Sequence, residues 1–196
     1  MKNMANSLLT IKQRQTYFKL LGLYTKKIDG VNGNGTKKAT EYFNTIFLNV
    51  KSNKYTYSTD SKLRGVVAIY KNSQYMTDKS WALFPNFKAS EFHCTCNGKY
   101  CDGYNGRKDK CPMKLIMVAQ YLRNYYNQPV YMSSSVRCRT RNKQVGGINN
   151  SKHLTFNALD EKVKGKKASE VVKLLKKMPL VKYTYAIDTY YFHFNL

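Results

Sequence analysis

Ser151-Lys-His153-Leu-Thr-Phe156-Asn-Ala-Leu-Asp160 is the stretch on which the reading of this chain turns. His153 and Asp160 are seven residues apart. On a straight strand that separation would put them on opposite faces, because side chains alternate. If both serve one site, a bend must follow His153 and a strand carrying Asp160 must start at Ala158-Leu159. A third matching side chain, His193, lies in Tyr191-Phe-His193-Phe-Asn195-Leu196, which also reads as a strand. The chain has only three histidines, and two of them fall here. Two imidazoles and a carboxylate suit Zn²⁺, and three protein ligands leave a fourth position open for water. An open site of that kind activates water and polarises a carbonyl, as in metallopeptidases. The same three residue types also occur as ordinary core or surface groups, so the flanks carry the decision.

The flank Ser134-Ser-Val-Arg137-Cys-Arg-Thr-Arg-Asn142-Lys-Gln-Val145-Gly146-Gly147 leads into Asn150-Ser151-Lys-His153. It resembles the Ser-Gly-x-Arg…Asn-x-x-Val-Gly-Gly…Ser-x-His-x-x-Gly-x-Ala-x-Asp signature of the zinc D-Ala-D-Ala carboxypeptidase family, which includes the L-alanyl-D-glutamate endopeptidases of phage endolysins. The ending Tyr183-Thr-Tyr185-Ala186-Ile187-Asp188-Thr-Tyr190-Tyr-Phe-His193-Phe-Asn195 is similar to that of the phage-type branch. So is the cysteine-rich entry Phe87-Lys-Ala-Ser90-Glu91-Phe92-His-Cys94-Thr-Cys96-Asn-Gly98-Lys-Tyr100-Cys101. The resemblance runs in order through residues 85–196. It implies zinc held by His153, Asp160 and His193, and Arg137 binding substrate or stabilising charge. Guanidinium chemistry fits that role, since paired N–H donors clamp a carboxylate or oxyanion. Asp188 is the carboxylate best matched to a general base. Three positions depart from the pattern. Phe156 stands where the family has glycine, which predicts a rearranged turn or a partly filled pocket. Tyr190 occupies the position where many relatives carry the base, and Asn195 replaces an acidic residue.

Size and charge frame the rest. The 196 residues allow one ordinary domain or two small ones. With 34 Lys+Arg against 11 Asp+Glu, the net charge is +23, a field that draws polyanions. The basic residues are dispersed, which reads as a generally cationic surface and no specific nucleic-acid partner; the resemblance implies peptidoglycan as the partner, and its anionic wall polymers are a polyanion such a surface would attract. No apolar run approaches 18 residues, which excludes a membrane span. The start, Met1-Lys-Asn-Met-Ala-Asn-Ser-Leu-Leu-Thr10, lacks the apolar core of a secretory signal. The expectation is synthesis in the cytoplasm and action at the wall, reached through a lysis pore or within a virion, where other virion proteins become partners. Of five cysteines, Cys94, Cys96, Cys101 and Cys138 could form a second metal site, pair as disulfides, or stay as thiols like Cys111.

Three segments follow. Residues 1–50 read as a small all-α unit. Leu8, Ile11, Tyr17-Phe18 and Leu20-Leu21 form a helical stripe ended by Gly22, and Thr36 is the expected N-cap of a second helix with Ala39, Phe43, Ile46 and Phe47. Gln15…Leu20-Leu21-Gly22…Asp29-Gly30…Gly33-x-Gly35-Thr36 is similar to the three-helix peptidoglycan-binding domains found beside wall hydrolases. Residues 51–84 read as a linker or connecting segment, in which Leu63–Tyr70 starts either a strand or a helix. Residues 85–196 read as an α+β domain: a helix with Pro112 in its first turn and running to about Tyr126, and another near 169–179, flank a small antiparallel sheet carrying the zinc site. The function implied is peptidoglycan stem-peptide hydrolysis by a zinc-activated water, at L-Ala–D-Glu or D-Ala–D-Ala. The alternative is a non-catalytic wall-binding or virion structural protein that keeps the fold.

Overall fold

A computed structural model describes residues 7–196; the leader expectation rests partly on residues 1–6, which lie outside the described residues. Helix α1, Ile11–Leu20, starts at a capping box in which Thr10 and Gln13 satisfy each other's backbone N–H groups. Gly22 ends it at φ +79°, a conformation that costs glycine nothing. Helix α2, Asn34–Leu48, buries Ala39, Tyr42, Phe43, Ile46 and Phe47 on one side. Its N-cap is Gly33, not Thr36. Thr36 sits in the first turn, where its hydroxyl donates to Val31 O and accepts from Gln15.

Gln15 explains the glycine-rich turn. Wholly buried, its amide nitrogen reaches Asp29 Oδ1 at 2.7 Å and Thr36 Oγ1 at 3.0 Å. Its amide oxygen accepts from the N–H groups of Asp29 and Gly30. One side chain thus satisfies a loop that has little regular structure of its own.

The stretch expected as a connecting segment carries helix α3, Tyr57–Asn72, capped by Thr56. Leu63, Val66, Val67 and Tyr70 recur at helical spacing and are buried, and α3 packs on α1 and α2. The short helix α4, Asp78–Trp81, follows.

Pro112 directly precedes helix α5, Met113–Tyr126, which is apolar almost all round. It packs on α2 on one side and on the sheet on the other. Strand β1 is Val130–Ser134, helix α6 is Arg139–Gln144 and strand β2 is Ala158–Val163. Helix α7, Ala168–Leu175, then leads to strands β3, Tyr183–Ala186, and β4, Phe192–Asn195. The sheet is antiparallel in the order β1-β2-β4-β3. The architecture is the expected α+β, with a small four-stranded sheet between helices.

The N-terminal helices and the sheet domain share one apolar core. Tyr42 packs edge-on against Tyr121, with 5.4 Å between ring centroids, and its hydroxyl donates to Lys177 O at 2.6 Å. Asn124 of α5 donates to the last-turn carbonyls Thr45 O and Ile46 O of α2. Among the described residues no helix is long and apolar enough to cross a membrane.

Candidate metal centre and its cleft

Strand register assembles most of the site. Ser134 lies opposite Asp160, Asp160 opposite His193, and His193 opposite Tyr185. Directly opposed residues share a face, so one row crosses all four strands. His153 joins from outside the sheet. It sits in a 3-10 turn, Lys152–Thr155, capped by Ser151. The bend expected between His153 and Asp160 is this turn, and β2 begins at Ala158 as the spacing requires.

The turn closes on Phe156 in the left-handed conformation, φ +59°. The phenylalanine therefore adopts the backbone geometry that glycine favours. Its ring does not fill the metal cleft. It is fully buried and lines a separate cavity with Met76, Trp81, Phe92 and Tyr104.

His153, Asp160 and His193 are all buried, and their ligand atoms lie within 4.8 Å of one another. His153 Nε2 and His193 Nδ1 approach Asp160 Oδ1 at 3.2 and 2.7 Å and each other at 3.3 Å. A tetrahedral ion bonded at about 2.0–2.1 Å would space its ligands by roughly 3.3 Å. The His193–Asp160 edge is tighter than that, and the other two match. His153 Nδ1 is 2.6 Å from Ser135 O. A carbonyl only accepts, so Nδ1 carries a proton, and Nε2 is the nitrogen turned toward Asp160 and His193. Two ring nitrogens and a carboxylate oxygen converge at a spacing that one shared cation can bridge. The donor set fits Zn²⁺.

Asp160 Oδ2 accepts from the Arg137 guanidinium, whose Nε donates to Ser134 Oγ at 2.7 Å. Burial pushes the Asp160 carboxyl up, but hydrogen bonds to both histidines and the charge of Arg137 outweigh it and hold the group well below the usual carboxylate range. Tyr185 stacks on His193, with centroids 5.0 Å apart and planes 29° apart. Next along β2, Glu161 is completely buried, and neither carboxylate oxygen has a hydrogen-bond partner among the described residues. Burial, with Asp160 and Glu91 adding to it, pushes its carboxyl well above the usual range.

His153, Asp160, His193, Arg137 and Tyr185 form part of the wall of an open cleft of about 590 Å³, together with Gly146, Gly147, Lys152, Tyr183, Ile187 and Asn195. Gly147 has a steric reason to be there, because a β-carbon on it would overlap the side-chain amide of Asn142. That amide donates to Ile148 O and pins the lip of the cleft. Asp188 is placed differently. It lies in the exposed β3–β4 turn, its Oδ1 accepts from the N–H groups of Tyr190 and Tyr191 at 2.7 Å each, and it is not on the cleft wall. Backbone hydrogen bonds from Tyr191 and Tyr190 hold its carboxyl below its ordinary value. Tyr190 is also exposed.

The sequence reading did not assign roles to Ser134, Ser135, Tyr185 or Glu161. Tyr185 and Ser134 could have been found from strand alternation once the register was known. Ser135 acts through its carbonyl, which leaves no sequence signal.

A buried two-histidine, one-aspartate cluster opening on a cleft, braced by an arginine, is a donor set suited to a water-activating metal ion. A profile described as Peptidase M15 matches residues 85–195, more than half of the chain, and the chain belongs to that family. The protein is accordingly a zinc metallopeptidase by family, and the family acts on peptidoglycan-type substrates. No curated protein sequence matches the chain.

Proposed function

We propose that the protein hydrolyses the stem peptide of peptidoglycan, as an endolysin or virion-borne lysin, with His153, Asp160 and His193 holding zinc. The observation that carries this reading is the convergence of the three ligand atoms at a cleft that also presents Arg137 and Lys152. Zinc held there supplies an activated water and polarisation of the scissile carbonyl. The chain's own residues do the rest. Ser135 O fixes the His153 tautomer, and Arg137 fixes the rotation of Asp160 so that Oδ1 faces the histidines. Guanidinium donors that Ser134 and Asp160 do not use are suited to a substrate carboxylate or a developing oxyanion. Stem peptides carry free carboxylates on short side chains, which suits a cleft that combines Arg137 and Lys152 with Tyr183, Tyr185 and Ile187. Asp188 lies off the cleft wall with its Oδ1 held by two N–H groups, so for it to act as a general base the β3–β4 turn would have to bring its Oδ2 to the cleft. The N-terminal helices are proposed to hold the wall, and the net charge of +23 to add attraction to anionic wall polymers.

One observation favours a second reading, a wall-binding or virion protein without catalysis: among the described residues lining the cleft, Asp160 is the only carboxylate. Digestion of purified peptidoglycan followed by mass spectrometry separates the two. New amino termini or free D-Ala that vanish with a chelator and with His153→Ala support the hydrolase and identify the bond. Full zinc occupancy with no cleavage of several peptidoglycan types assigns the second reading. Asp188→Asn is expected to leave activity within a few-fold, and a loss of about 10²-fold would assign it to proton transfer.

A further inference from the structure

A second side-chain cluster lies outside the cleft. Cys94, Cys96, Cys101 and Cys138 bring four sulfur atoms within 4.8 Å of one another, and three of the four residues are buried. All are free thiols, and the Cys96–Cys101 pair is 3.4 Å apart. A tetrahedral zinc bonded to four thiolates at about 2.3 Å would space its sulfurs by roughly 3.8 Å. The cluster is close to that geometry before any ion is placed. Disulfides would require the sulfurs to pair off at about 2.05 Å. Here each sulfur instead has all three others in reach, as a shared ion requires. The fifth cysteine, Cys111, is buried elsewhere and takes no part.

Two backbone N–H groups already point at the sulfurs. The Cys138 backbone N–H donates to Cys94 Sγ, and the Arg141 N–H donates to Cys138 Sγ, both at 3.4 Å. Four thiolates and one Zn²⁺ leave a net negative charge, and Lys99, Arg139 and Arg141 stand beside the cysteines in the chain to offset it. The chain between Phe92 and Pro112 contains only one 3-10 turn, Lys108–Lys110, and apart from turn hydrogen bonds such as Cys94 N–H to Gly103 O it has no regular structure to hold it. Arg141 Nε already fastens helix α6 to this loop through Thr95 Oγ1 at 3.0 Å.

We propose that Cys94, Cys96, Cys101 and Cys138 bind a second, structural zinc ion that joins the irregular 94–101 loop to the start of α6. Cys138 directly follows Arg137, so the ion braces the backbone that carries the guanidinium holding Asp160. It is a positioning site with no open ligand position, unlike the cleft.

The test is metal counting on the full chain purified in reducing buffer without chelator. Two zinc ions per chain are expected, one of them released by a thiol-specific mercurial. The His153→Ala/His193→Ala variant should keep one ion, still released by the mercurial. Cys94→Ser should lose one and Cys111→Ser none. Should Cys94→Ser not fold, cobalt-loaded His153→Ala/His193→Ala protein gives the answer: intense sulfur-to-cobalt charge-transfer absorption supports the site. Zinc that disappears entirely in the double histidine variant overturns the proposal. So do disulfides in the intact mass, or five freely reactive thiols in native zinc-loaded protein.

Discussion

Asp160 divides its two oxygens between different tasks, and Arg137 is what keeps them divided. Arg137→Ala should therefore weaken zinc as well as slow the reaction. We expect affinity to fall by about tenfold or more, the usual cost of losing a group that orients a ligand, and turnover by about 10²-fold or more. Zinc titration beside peptide-cleavage rates measures both, and unchanged affinity would leave Arg137 with substrate alone. Gly147→Ala forces a β-carbon onto Asn142. It should destabilise by roughly 1–3 kcal/mol as an overpacked contact does, and less when Asn142→Ala is added, a coupling that a double-mutant cycle reads directly. Asp60 sets a pH dependence. It accepts from Leu9 N, Tyr55 Oη and Arg64 Nε at 2.7, 2.9 and 2.6 Å. Burial raises its pKa, but these bonds outweigh that and depress it below the ordinary value. A depressed folded pKa gives stability that is full above the unfolded value, about 3.9, and is lost as pH falls through the folded value. Asp60→Asn should cost about 1–3 kcal/mol at neutral pH, and the gap from wild type should close below about pH 4 in urea unfolding. The grouping of His153, Asp160, His193 and Arg137 was legible because each sits in a distinctive local motif. Asp60 and Ser135 were not, because their roles come from partners far along the chain or from a backbone atom.

At the scale of elements, Phe156 takes a left-handed geometry that usually favours glycine, and burial of its ring offsets the local strain. Phe156→Gly should relieve about 1 kcal/mol of strain and lose about 3–5 kcal/mol of packing, for a net fall of roughly 2–4 kcal/mol. Zinc affinity should stay within a few-fold, because the ring faces the other cavity. A large gain in activity would show that the aromatic obstructs the cleft after all. The strands at Ala158 and His193 were readable from alternation and from the need to bring Asp160 and His153 together. Helix α3 was not. Its apolar residues have helical spacing, but Gly65 and the β-branched Val66-Val67 pair weaken helix preference locally. Packing on α1 and α2 settles the conformation, and no single-segment pattern contains that information.

Over the whole molecule, the shared core ties the N-terminal helices to α5 and the residues after α7. Thermal unfolding should then show one transition in calorimetry, and Tyr42→Phe should lower it by about 0.5–1.5 kcal/mol of stability through the lost bond to Lys177 O. Two separated transitions would mean that the helices melt alone. The seam was hidden from sequence reading because Tyr42, Tyr121 and Asn124 look like ordinary helix positions until α2 and α5 are laid together. The seam also bears on how such a hydrolase could work on a solid substrate. A catalytic unit on a loose tether sweeps a volume around its anchor, and the tether's length sets how often it meets each bond. Under the proposed function, the holding helices and the cutting cleft would be one block, and the chain would behave instead like a caliper. It would reach only bonds at one fixed span from its foothold, so every new cut would require it to let go and grip again.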